Sequence, residues 1–194
     1  MENSREKILS AVKNNQGEVK PLPVTPAFPQ SFDRLVKFSE VLKSIGGKVF
    51  TVRSIAEIEK YIQENFGAPK RVISAIPGFS GAEVNQKYND LPSLHDVDLF
   101  ITQASLGVAE NGAVWLTEDA LHERVLPFIS QQVIVVLDQH SIVSTMHEAY
   151  EKIGSTDYEF ATFIAGPSKT ADIEQSLVLG AHGAMTMTVF VLID

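Results

Sequence analysis

Cysteine is absent from this chain of 194 residues, which excludes disulfides, a thiolate nucleophile and cysteine-ligated zinc or iron–sulfur clusters within it. Positive charge is scarce too. Sixteen Lys and Arg stand against twenty-four Asp and Glu, a formal net charge of -8. A general nucleic-acid or anionic-membrane surface needs clustered cations to displace counterions, so neither partner is expected. The stretch Met1 to Lys13 alternates charges around no uninterrupted apolar core, so it reads as neither signal peptide nor membrane span. A cytoplasmic protein is expected. Several catalytic motifs are missing as well: there is no Gly-x-Gly-x-x-Gly nucleotide fingerprint, and His147-Glu148-Ala149-Tyr150-Glu151 lacks the second histidine of a zincin. Gly78-Phe79-Ser80-Gly81 misses the hydrolase elbow spacing and reads as a loop.

What is present suits one well-buried α/β domain, with 44% hydrophobic and 21% charged residues. Residues 1–30 read as a short helix over 4–14 followed by an arm, because Lys20 to Pro29 holds four prolines in ten positions. The domain proper is expected over 31–194. Phe32, Leu35, Val36, Val41, Leu42 and Ile45 recur at helical spacing before Gly46-Gly47, which predicts a helix over 31–45. Lys48 to Val52 reads as a strand, and Ser54 with Glu57 forms a capping-box pattern ahead of a helix ending at Gly67. Arg71 to Ile76 then supplies the next strand of a parallel crossover. Val97 to Thr102 and Ala113 to Leu116 are expected to pair as an antiparallel hairpin. Val133 to Leu137 is a β-branched run of the kind covered on both faces, and Ser141 to Ile153 carries one apolar helical stripe. Phe160 to Ala165 and Thr186 to Leu192 complete the expected sheet. The pattern predicts a three-layer α/β domain, a mainly parallel sheet flanked by helices.

The richest local chemistry follows the apolar run Phe160 to Ala165. Gly166-Pro167-Ser168-Lys169-Thr170-Ala171-Asp172-Ile173-Glu174 brings together a flexible backbone, two hydroxyls, an ammonium and two carboxylates. Read as the start of a helix, Ser168, Lys169 and Thr170 would present donors to a phosphate or carboxylate, helped by the helix dipole. The plainer alternative is an N-cap, with Asp172 and Glu174 complementing the positive end of that helix. It is not a Walker loop, since Phe163 and Ser168 stand where glycines are required. Asp172, Glu174 and His182 are acid–base or hard-metal candidates. Asp172 and Glu174 are two apart and fall on different helical faces, and no metal is assigned. His182-Gly183 also reads as a loop before the last strand. His140 and His147 have no third ligand in view, and Trp115 reads as core packing.

The run Gly166 to Glu174, followed by Leu177 to Gly180 and His182-Gly183, resembles the C-terminal signature of the lactate-utilisation (LUD) domain family, of the lactate utilisation protein C type. Ile101-Thr102 through Ala109-Glu110-Asn111-Gly112 is similar to that family's strand and turn, and the likeness extends over roughly residues 30–194. The resemblance implies a coenzyme A transferase/ribose-phosphate isomerase-like fold. It further implies support for oxidation of L-lactate to pyruvate beside iron–sulfur partner subunits, which would carry the clusters that this chain does not, so no cofactor is expected on the chain itself. A small anionic metabolite is the implied ligand, and a homo-oligomer is compatible with it. Read from the residues, the expected site comprises Glu110, Asp172 and His182 as catalytic groups and Gly112, Gly166, Ser168, Lys169, Thr170, Glu174 and Gly183 as ligand-binding positions. Val108 to Val114 also resembles the Ser-Glu-Asn-Gly signature in which coenzyme A transferases carry a nucleophilic glutamate, with Ala109 in place of the serine. In that alternative Glu110 would form an acyl anhydride and then a thioester. The competing reading of the same residues is an Asn-Gly hairpin turn with Glu110 exposed. A non-catalytic assembly subunit docking through its proline-rich arm is the third reading.

Overall fold

A computed structural model describes residues 3–18, 20–21, 31–66, 71–84, 91–121, 123–156, 158–171, 177–180 and 182–194. The chain divides into two units, Met1–Gln30 and Ser31–Asp194. In the first, helix α1 (Ser4–Asn14) is closed by a capping box in which Asn3 and Glu6 satisfy each other's backbone N–H groups. The expected arm lies mostly outside the described residues.

The second unit begins with α2 (Arg34–Ser44), whose N-cap Asp33 accepts from the Val36 N–H at 3.0 Å. It continues through β1 (Lys48–Val52), α3 (Ile55–Asn65), β2 (Val72–Ser74), β3 (Glu83–Val84), β4 (Leu99–Ala104), β5 (Leu106–Val108) and β6 (Ala113–Thr117). After the short helices α4 (Glu118–Leu121) and α5 (Leu126–Ile129) come β7 (Gln132–Asp138), β8 (Ile142–Val143), α6 (Met146–Ile153), β9 (Ala161–Ile164), β10 (Lys169–Ala171), β11 (Leu177–Leu179) and β12 (Thr186–Leu192). The main sheet has the order β1-β12-β7-β4-β2-β3 and every pairing in it is parallel. As expected, this is an α/β fold with a parallel sheet flanked by helices. A second sheet, β8-β5-β6-β9, is mixed, and β10 and β11 form an antiparallel ribbon.

The layers follow from which side chains each face offers. One face of the main sheet, through Val49, Val133, Val135, Leu137, Val189 and Val191, packs on Phe38 and Leu42 of α2 and on Val114 and Leu116 of the second sheet. The opposite face, through Leu99, Ile101, Ile134, Val136 and Phe190, packs on Ile58 of α3. The outer face of the second sheet buries Leu106 and Val108 against Ala149 of α6. Each fully buried large side chain contributes on the order of 1.5–3 kcal/mol. Arg71, just before β2, ties the far edge together: it pairs with Glu83 at 2.9 Å and Asp96 at 2.5 Å and donates to the Ser93 carbonyl. These hydrogen bonds, Glu83 first, raise the Arg71 pKa, and the bond from Arg71 holds the Asp96 carboxyl below its ordinary range.

Several local expectations change. The predicted hairpin does not form: β4 joins the parallel sheet, and the partner of β6 is β5, inside the segment read as a turn. The chain changes sheets at Ser105, and Gly107 permits it, because a Cβ there would lie 2.6 Å from Leu137 Cδ2. Phe160 to Ala165 contributes β9 to the second sheet, antiparallel to β6, and not to the main one. Strands β1 and β2 are parallel, but β12, β7 and β4 lie between them. The helix predicted over 141–153 starts only at Met146, where Thr145 accepts from the Glu148 N–H at 3.2 Å. Ser54 makes no side-chain cap bond; Glu57 accepts instead from the Arg53 N–H at 3.2 Å and the Ser54 hydroxyl at 3.4 Å. Lys169 to Ala171 is a strand and not a helix start, since pairing with Leu177 to Leu179 takes its backbone.

Candidate functional site

Strand β9 delivers the chain to Gly166, whose φ of 74° suits glycine and whose Cβ, if present, would sit 3.1 Å from the Ile45 carbonyl oxygen. Ser168 follows, with both backbone groups engaged. Its N–H donates to the Ala184 carbonyl at 2.8 Å, and its own carbonyl accepts from the Gly180 N–H at 3.2 Å. Gly183 passes so near that a Cβ on it would lie 3.0 Å from Ser168 Cβ and 3.3 Å from Oγ. Gly166, Ser168, His182 and Gly183 therefore line one cavity of about 150 Å³. Its walls are apolar, including Leu116, Val133, Val135, Ile164 and Met187, with Ser168 and His182 as the polar contribution. Val133 and Met187 are the second residues of β7 and β12, so the cavity lies at the amino-terminal end of the main sheet.

With a strand at Lys169–Ala171, the helix amino terminus expected at Ser168 to Thr170 is not there to hold an anion. Lys169 is exposed, and its Cε lies 3.8 Å from where a Gly46 Cβ would stand, so its stem runs over that turn. Thr170 pairs with Val178 in the ribbon. Asp172 and Glu174 lie outside the described residues. Among the described residues no three His, Cys, Asp or Glu converge as a metal set. The chain has no cysteine thiolate, the ordinary cluster ligand, so it does not fit an iron–sulfur cluster of its own.

Glu110 and Gly112 sit on the β5–β6 turn. Asn111 Oδ1 accepts from the Ala113 N–H at 3.0 Å, and the Gly112 N–H donates to the Val108 carbonyl at 2.9 Å. Gly112 has a φ of 69° and presses on α2, where a Cβ would meet both the N and Cα of Leu42 at 3.0 Å. The exposed Glu110 carboxylate accepts from the Met146 N–H at 2.9 Å, completing the amino terminus of α6. The register that pairs Val114 with Ile164, continued by two residues, sets Gly112 opposite Gly166, so the two turns share one end of the second sheet. Their side chains diverge. Glu110 turns to the Met146 N–H at the start of α6 and is not part of the lining of the cavity that Ser168 lines.

Sequence reasoning passed over the carboxyl-terminal edge of the main sheet. There, a cleft of about 330 Å³ opens beyond β2 and β4, with Gln103, Ser105, Thr117 and Asp119 as its polar lining. The available signal was the abrupt switch from the apolar run Leu99 to Ile101 to Gln103 and Ser105 at a strand end, which had been assigned to a turn.

The LUD domain model matches residues 83–192, a span holding every candidate position above. Lactate utilization protein C 1 of Bacillus mycoides is 30% identical over 117 residues, 57% of this chain and 50% of that protein. Lactate utilization protein C of a Geobacillus species is 36% identical over 101 residues, 48% of this chain and 42% of that one. The chain thus spans about half the length of the curated relatives it matches. A crystal structure of a DUF162 family protein from Deinococcus radiodurans superimposes with a TM-score of 0.61, covering 82% of this chain and 96% of that one at 23% identity, a likeness of fold. With the matched model covering more than half of its length, the chain belongs to the LUD domain family.

Proposed function

We propose that this LUD domain holds a small carboxylate, L-lactate or pyruvate, in the cavity between Ser168 and His182, and that it supports lactate oxidation together with iron–sulfur subunits. The observation that carries the reading is the cavity itself: about 150 Å³, apolar within and polar at Ser168 and His182. Pockets for drug-sized ligands begin at roughly 300 Å³, so this volume suits a molecule of a few carbons. The Ser168 hydroxyl would donate to the carboxylate. The His182 imidazole would take the proton of the C2 hydroxyl as that carbon becomes a carbonyl. Lys169 adds positive potential from outside, and Asp172 and Glu174 belong to the same segment. The C2–H bond breaks as the carbonyl forms, and its hydrogen would leave with the bonding pair as a hydride to an organic acceptor held by the partner subunits, whose clusters would then take the two electrons one at a time. The test is lactate-dependent reduction of an artificial acceptor by the reconstituted subunits, with and without this chain. Activity that requires the chain and falls at least tenfold in His182→Ala supports the proposal; full activity without it contradicts the proposal.

The acyl-transfer reading keeps one support, that the Met146 N–H holds the Glu110 carboxylate at 2.9 Å, whereas the exposure of Glu110 is what the competing turn reading expects. It requires that acyl-coenzyme A bind and that hydroxylamine trap an adduct absent from Glu110→Gln.

A further inference from the structure

The cleft at the carboxyl edge is separate from the Ser168 cavity and has a different chemistry. It opens where parallel neighbours β2 and β4 end, the location at which open α/β sheets most often bind ligands. Buried hydroxyls fix its walls. Ser74, 2% exposed, donates to the Ile76 carbonyl at 2.6 Å and accepts from the Ile76 N–H at 3.1 Å, setting the turn that leads to Pro77. Thr102, fully buried, donates to the Ala120 carbonyl at 2.6 Å and anchors α4 beside β4. The Ala75 N–H donates to the Ile101 carbonyl at 2.8 Å. Such buried bonds make the rim rigid, as a pre-formed site requires.

Among the described residues, the polar side chains that face the cleft are one amide, two hydroxyls and one carboxylate, with no cation among them. Among the described residues, Gln103, Thr117 and Asp119 make no side-chain hydrogen bond. Arg124, which follows α4, is engaged by both oxygens of Glu118 at 2.9 and 3.0 Å. Among the described residues, none that lines the cleft would offset Asp119 for a phosphate or carboxylate. A neutral group rich in hydroxyls meets the opposite situation, because a carboxylate accepts from two adjacent hydroxyls while Gln103 and Thr117 donate and accept around them. Pro77 offers an apolar surface for the carbon face of a ring.

We infer that this cleft binds a neutral vicinal diol, either a free sugar or the ribose of a nucleoside. The inference is independent of the carboxylate proposed for the Ser168 cavity. Calorimetric titration of the full chain with D-ribose and with adenosine, in separate experiments, tests it. Saturable binding of either probe is expected, weakened at least tenfold in Asp119→Ala and in Gln103→Ala. Both residues are exposed, and an unchanged melting temperature of each variant would show that the fold is kept. Binding of ribose assigns a free sugar, and binding of adenosine alone assigns a nucleoside. No saturable binding of either, or binding that Asp119→Ala leaves intact, overturns the inference.

Discussion

Replacing Gly112 by alanine should destabilise the domain more than the same change at Gly81, and the difference measures how tightly the β5–β6 turn is pressed on α2. The two glycines have nearly the same φ, 69° at Gly112 and 75° at Gly81. Either alanine therefore carries the left-handed cost of an L-residue, roughly 1–2 kcal/mol, and either gains the same small benefit from a stiffer unfolded chain. Their surroundings differ. A Cβ at Gly81 meets nothing within 4 Å, whereas one at Gly112 lies 3.0 Å from the backbone N and Cα of Leu42. Backbone atoms of a packed helix cannot rotate aside, so the clash adds an overpacking cost of about 1–3 kcal/mol. Urea denaturation of the two variants, read as midpoint shifts at constant slope, isolates that excess. In thermal unfolding an excess of about 2 kcal/mol corresponds to roughly 4–8 °C for a domain of this size. Equal losses in Gly112→Ala and Gly81→Ala would refute the close approach, and with it the reason for glycine at this turn.

Glu110→Ala should lower stability by about 0.5–2 kcal/mol, the range for losing a helix cap, while Glu110→Gln, which keeps an acceptor for the Met146 N–H, should lose less; denaturation curves for the pair check this ordering. The Asp96 carboxyl has a depressed pKa, so its contribution is present above the ordinary value of about 3.9 and is lost as pH falls through the lower folded value. The stability gap between the native chain and Asp96→Asn should hold from neutral pH down to about 5 and then close with acid. A gap that widens below that point would show the linkage to be wrong.

How far the sequence speaks for itself differs between elements. Helix α2 and strands β1, β7 and β12 were legible because period and burial agree: Val133 to Leu137 is apolar throughout, and all five residues are buried. The second sheet was not. Its strand β5 is three residues long and hidden behind Ser105, and whether a short apolar run pairs within the main sheet or above it depends on tertiary packing at Gly107. The same limit applies to Lys169 to Ala171. A hydroxyl–lysine–hydroxyl run suits a helix start locally, yet contact with the Leu177 to Leu179 segment makes it a strand. Among the expected site residues, those near the cavity were joined by backbone proximity that no motif states, Gly183 passing 3.0 Å from Ser168 by its absent Cβ. Glu110 shares their end of the sheet, but its acceptor bond to the Met146 N–H directs it elsewhere.

The most direct test of the central claim is a calorimetric titration of the purified chain with pyruvate and with L-lactate, repeated on Ser168→Ala and His182→Ala. The account predicts saturable binding of at least one of the two acids, weakened tenfold or more in both variants. Binding that neither substitution disturbs, or no binding of either acid, would contradict it.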